Sequence, residues 1–144
     1  MDNATRLNVR ALKSMGGTAD EIIEKLEKSI WQTIGWNAVC VFVHLVGLYH
    51  ILIRKTLDQN PIVPAIVAGL LVAASALTYK QWKLGCWLAI LVYGNSILGG
   101  INTGTYSVVF FFVLWCLLSN VWCLRTISLI RLVRADPGLI NQES

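Results

Sequence analysis

Gly94-Asn95-Ser96-Ile97-Leu98-Gly99-Gly100-Ile101-Asn102-Thr103-Gly104-Thr105 sits at the centre of residues 84–124, a stretch of 41 positions without one Lys, Arg, Asp or Glu. An α-helix rises about 1.5 Å per residue, and about 20 apolar residues cross the hydrocarbon layer of a membrane. The charge-free stretch is therefore too long for one crossing. Glycine and small polar residues at this density mark a turn, which divides the stretch into two spans, about 84–101 and 106–124. Residues 29–53 and 59–79 also lack charge, and each holds one span, about 31–53 and 61–79. The expected fold is an all-α integral membrane protein, a four-helix transmembrane bundle.

Composition points the same way. The chain has 144 residues, enough for one domain, of which 56% are hydrophobic and 14% charged. Soluble domains carry about 25% charged residues. That shortfall, with a mean hydropathy of +0.61, argues against a soluble enzyme, a nucleic-acid-binding protein and a disordered tail. The formal net charge of +4 is no nucleic-acid footprint, because the basic residues sit at span boundaries, where they meet lipid headgroups.

Orientation follows from counting Lys and Arg. Arg6, Arg10, Lys13, Lys25, Lys28, Lys80, Lys83, Arg125, Arg131 and Arg134 place ten on one side, whereas Arg54 and Lys55 place two on the other. The positive-inside rule puts both termini in the cytoplasm. Trp31, Trp36, Trp82, Trp87 and Trp122 fall near the cytoplasmic helix ends, where amphipathic rings favour the interface, and Trp115 lies deeper. Residues 1–28 contain no apolar run of the signal-peptide kind.

The chain divides into a cytoplasmic amphipathic segment (1–30), the bundle (31–124) and a cytoplasmic helical extension and tail (125–144). Leu7, Ala11, Leu12 and Met15 recur at helical spacing, opposite Arg6, Arg10 and Lys13. This fits a short helix lying on the inner leaflet or a frayed cationic tail. Thr18 and Glu21 form a capping-box pattern before Ile22, Leu26 and Ile30. Glu21–Lys25 and Glu24–Lys28 have the spacing of supportive ion pairs. This second helix either runs straight into the first span or bends near Gly35. Asn60 and Pro61 suit the start of the second span.

No acidic residue lies between Asp58 and Asp136. Proton-coupled transport and carboxylate catalysis lose their usual groups, so no enzymatic activity, cofactor or metal is expected. His44 and His50, six positions apart on the first span, point about 120° apart around the helix and cannot hold one haem from both sides. A haem site would need a second copy or another protein. Cys40, Cys86, Cys116 and Cys123 all lie within spans without a Cys-x-x-Cys motif and read as small buried side chains. Cys40, Cys86 and Cys123 share a similar depth.

Two groups of residues are candidates for function. The first allows close helix packing: Ala65, Gly69, Ala73 and Ala76 on the second span, Gly85 and Ala89 on the third, and Ser119 and Asn120 on the fourth. Packing within the chain is the default for these faces, and Asn120 is the residue best suited to an interhelical hydrogen bond. The second is an outer polar set, His44, His50, Tyr93, Asn95 and Asn102, with Tyr49, Ser96 and Tyr106 nearby. It lines either a small ligand or pore cavity or a self-satisfied turn.

The leading functional expectation is a non-enzymatic oligomeric scaffold or a subunit of a larger membrane complex. Its partners would be the bilayer, further copies of itself or other membrane subunits, and not nucleic acid. A channel or facilitator for a small neutral or anionic solute is the first alternative, and a haem or redox membrane subunit the second. A plasma or inner membrane is favoured over an organelle.

Overall fold

The computed structural model describes residues 3–54, 60–102, 104 and 108–139. The described residues are helical and contain no strand: α1 (Asn3–Met15), α2 (Ala19–Tyr49, continued by a π-helical turn over His50–Arg54), α3 (Ile62–Tyr79), α4 (Lys83–Asn102) and α5 (Val108–Ala135), followed by a 3-10 turn at Pro137–Leu139. Four helices are long and apolar enough to cross a membrane: Ala19–Arg54, Ile62–Tyr79, Lys83–Asn102 and Val108–Ala135. At about 1.5 Å per residue, α3 and α4 match the roughly 30 Å hydrocarbon layer, while α2 and α5 exceed it. The excess of α2 holds Asp20, Glu21, Glu24 and Lys25, and that of α5 holds Arg131 and Arg134.

The helix ends follow local chemistry. The Thr18 hydroxyl accepts the Glu21 amide at 3.4 Å, and the Thr18 amide donates to Glu21 Oε2 at 3.0 Å, closing the capping box. Asn60 Oδ1 accepts the Ile62 amide at 3.0 Å at the start of α3. α2 runs through Gly35 without a break. Among the described residues neither Glu21–Lys25 nor Glu24–Lys28 closes as an ion pair. Glu21 is spent on the cap, and Lys25 Nζ donates instead to the Met15 and Gly16 carbonyls, both at 3.4 Å. It thereby supplies the terminal carbonyls of α1 with a cationic donor.

α4 ends at Asn102, close to the expected limit of the third span at about residue 101, so the glycine-rich segment from Gly94 is helical up to the connection. Ser96 folds its hydroxyl back onto the Val92 carbonyl at 3.1 Å, and the glycines remain in the helical ladder. In an apolar solvent an unpaired backbone group costs several kcal/mol, so helix persists through residues that favour turns in water. Gly104, at φ +65°, stands in the connection that follows. Tyr106 and the expected start of the fourth span lie outside the described residues.

Each long helix packs on two neighbours: α2 on α3 and α5, α4 on α3 and α5. The result is an antiparallel ring. Its inward stripe on α2 is Ile22, Leu26, Ile30, Thr33, Asn37 and Cys40, a 3.6-residue period. Two buried clusters fill the ring. The basal one joins Leu12 of α1 to Ile22, Leu26 and Ile30 of α2, Cys86 of α4, and Cys123, Ile127, Ile130 and Val133 of α5. The middle one contains Cys40, Leu71, Ala74, Ala89, Tyr93 and Cys116. Among the described residues, none of 41–54, 60–67, 94–102 or 108–115 is buried. Tight packing therefore occupies the basal and middle levels only.

Glycine placement makes a sharp test. A Cβ on Gly85 would overlap the Ala74 carbonyl oxygen, the Thr78 amide nitrogen and the Thr78 hydroxyl, whereas a Cβ on Gly69 meets nothing within 4 Å. Gly85→Ala is expected to lower stability by about 1–3 kcal/mol through overpacking against backbone. Gly69→Ala should stay within about 0.5 kcal/mol. Denaturant titration of both variants in mixed micelles checks the contrast.

Candidate functional site

At the middle level, polar side chains from three helices converge on Asn37. Asn37 Oδ1 accepts from the Tyr93 hydroxyl at 2.9 Å and from Asn120 Nδ2 at 3.0 Å. Asn37 Nδ2 donates back to Asn120 Oδ1 at 3.4 Å, and Asn120 Nδ2 also donates to the Cys116 carbonyl at 2.9 Å. All three side chains are almost fully buried. Around this pair of amides, the Thr33 and Ser119 hydroxyls lie 3.0 Å apart, and Cys40 Sγ lies 3.6 Å from Cys116 Sγ. Between α3 and α4, Thr78 Oγ1 and Cys86 Sγ are 3.8 Å apart.

Among the described residues, no buried side-chain nitrogen or oxygen lacks a hydrogen-bond partner. Each buried side-chain nitrogen and oxygen of the network therefore has at least one partner. Its physical role is to fix the register and facing of α2, α4 and α5, because a slip by one residue would bury unpaired amides.

A second polar group closes the basal end. Gln81, at φ +56° in the turn between α3 and α4, accepts Arg131 Nη2 on its carbonyl at 3.1 Å and Arg134 Nη1 on Oε1 at 2.9 Å. Gln81 Nε2 donates to Glu27 Oε1 at 3.1 Å, and Arg134 Nη2 pairs with the same carboxylate oxygen at 2.8 Å. The side chains of Arg134 and Glu27 are 52% and 40% exposed, so their ion pair contributes below about 1 kcal/mol. The clamp nonetheless ties α2, the α3–α4 turn and α5 together.

The structure divides the sequence-derived candidates. Tyr93 leaves the outer polar set and joins the Asn37 network, because it is buried at 2% exposure. Asn95 and Asn102 stand exposed on α4. His44 is half-buried, and its Nδ1 lies 2.8 Å from the Cys40 carbonyl of its own helix. It borders a recess of about 430 Å³ with Asn60 and Pro64. His50 lies in the π-helical turn, its ring edge-on to Tyr49 at 5.7 Å. Gly85, Ala89 and Asn120 are buried, and Ser119 is half-buried against Thr33. Gly69 and Ala73, with Ala65 and Ala76, face outward from the ring. The cysteines separate by level: Cys40 and Cys116 belong to the middle cluster, and Cys86 and Cys123 to the basal one.

Asn37 and Gln81 carry most of these interactions, yet neither stands out in the sequence. For Asn37 a signal existed, since it continues the Ile22-Leu26-Ile30 stripe at helical spacing. For Gln81, one polar residue between Lys80 and Trp82, there was none. A recess of about 630 Å³ also opens between α2 and α5, bordered by Trp36, Trp115, Trp122 and Arg125. Comparison of the chain with protein-family models, curated proteins and solved structures returns no match.

Tyr93→Phe should cost about 0.6 kcal/mol, because the Asn37 oxygen keeps Asn120 as donor. Asn37→Leu should cost about 1–3 kcal/mol, because two buried donors lose their acceptor. Unfolding titrations in micelles measure both.

A membrane-permeant diazene oxidant should draw two electrons and two protons from the Cys40 and Cys116 thiols. The sulfurs then close to the roughly 2.05 Å of a disulfide. Mass spectrometry of the digest should find the peptides carrying Cys40 and Cys116 joined, and the Cys116→Ser variant should lack that product.

Proposed function

We propose that this chain is a multi-pass membrane protein acting as a non-enzymatic scaffold or complex subunit. It associates through helix faces inside the bilayer, with both termini on the cytoplasmic side of a plasma or inner membrane. The orientation is supported by ten Lys and Arg assigned to the basal side against two on the other. The basal cluster and the Glu27–Gln81–Arg134 clamp occupy that same basic end. The amphipathic α1 belongs to it as well, anchored by Leu12.

The observation that carries the association is the outer face of α3. Ala65, Gly69, Ala73 and Ala76 form an exposed stripe of small residues, and Gly69 has open space around its Cβ position. Lipid chains gain little from such a face. A second helix gains close backbone approach and dispersion contact along it. The opposite arrangement holds at Gly85, whose small size is used up inside the ring.

The test is the mass of the intact assembly after extraction in a gentle detergent. The expected protein mass is a multiple of 16.0 kDa, or that mass joined to a second polypeptide. Gly69→Leu with Ala73→Leu should reduce it to the single chain with helix content unchanged. A wild-type chain that is monomeric in every mild detergent, and in lipid nanodiscs, overturns the proposal.

A further inference from the structure

The recess between α2 and α5 differs in chemistry along its length. Trp36, Trp115 and Leu118 border one end. Ser29, Gln32 and Arg125 border the other, with Trp122 between. The order follows from the antiparallel pairing, since Thr33 meets Ser119 and Cys40 meets Cys116. Rising residue numbers on α5 therefore run toward the basic end, while those on α2 run away from it. Trp115 and Arg125 are ten residues apart on one helix. That is about 15 Å, half of the roughly 30 Å hydrocarbon layer. The recess thus has the length of one leaflet's acyl region and turns polar where headgroups lie.

Its charge comes from Arg125. Among the described residues the one ion pair joins Arg134 to Glu27, and no described carboxylate lies at ion-pair distance from Arg125. The guanidinium instead rests 5.5 Å from the Trp122 ring centroid. Arg131, by contrast, is already occupied by the Gln81 carbonyl. Ser29 and Gln32 add polar groups beside Arg125. Trp115 and Trp122 are more than half exposed, and their rings form the apolar walls.

The geometry points to a binding site for an anionic phospholipid, its phosphate on Arg125 and one acyl chain along Trp122, Leu118 and Trp115. An arginine offers a forked set of donors matched to a phosphate, the Trp122 ring offers broad apolar surface at interfacial depth, and Trp115 continues that apolar wall toward the middle of the layer. The site lies on a different face from the α3 stripe. It rests on the membrane placement proposed above but not on oligomerisation.

The test uses the full chain, purified and reconstituted into vesicles of phosphatidylcholine mixed equally with phosphatidylglycerol. Native mass spectrometry then counts the lipids retained by each protein. Retained phosphatidylglycerol should exceed phosphatidylcholine by about fivefold, the size of one basic side chain's attraction to an anionic headgroup. Arg125→Gln should remove that preference, Arg125→Lys should keep most of it, and Trp115→Ala should weaken retention of both lipids. Arg131→Gln, which deletes the same charge outside the recess, should leave the preference intact. Circular dichroism confirms that each variant is folded.

Equal retention of the two lipids by wild-type protein, or the same loss of preference in the Arg131 and Arg125 variants, overturns the site. A dimer held through the recess, with no lipid retained and dissociation on Trp115→Ala, assigns the surface to a second copy and also overturns it. Protein that fails to enter vesicles at all refutes the membrane placement, a separate result.

Discussion

The pairing of α2 with α5 is the contact on which the bundle depends. It joins the first and last long helices, closes the ring and carries most of the buried polar interactions. The reciprocal Asn37–Asn120 amides supply its direction, because each offers both a donor and an acceptor to the other. Thr33–Ser119 and Cys40–Cys116 extend the same seam on either side. In water such bonds exchange with solvent at little gain. In hydrocarbon their absence leaves groups unpaired, so they specify facing even where each contributes about 0.6 kcal/mol.

Packing is graded along the bundle axis. The basal end combines the Leu12–Ile22–Ile127 cluster with the Gln81 clamp, and the middle holds the amide network. Beyond the middle, side chains are half-buried or exposed. Apolar residues there have no hydrophobic reason to turn inward when the surrounding solvent is as apolar as they are. The polar contacts determine where the helices stay together, and they are concentrated in the half nearer the basic end.

Much of this architecture was legible in the sequence. The charge-free stretches located four long helices, and Thr18 with Glu21 announced the start of α2. Asn120 stood out as a polar residue deep in an apolar helix. Other features depended on the ring order. Two helices carry small residues, and nothing local distinguishes Gly69, which faces outward, from Gly85, which lies against the α3 backbone. Tyr93 looked like part of an outer polar set until the facing of α4 turned it toward Asn37. The glycines and asparagines of 94–105 marked where the third span gives way to the fourth, and the break falls at their far end, after Asn102. The expected pairing of Lys25 with Glu21 is absent among the described residues: the fold of α1 back onto α2 places the Met15 and Gly16 carbonyls within reach of Lys25 Nζ, a contact between elements that no i,i+4 spacing announces.

The 83 positions separating Asn37 from Asn120 bear on how the molecule is made. In the membrane placement proposed above, α2 would enter the bilayer well before α5 has been translated. In that interval the Asn37 amide group can find Tyr93 once α4 arrives, but it has no second amide to meet its own donors. Until α5 arrives, the Asn37 amide would lack the partner it has in the closed ring. The closing contact thus joins the first long helix to the last, and the ring can be completed only when both are present.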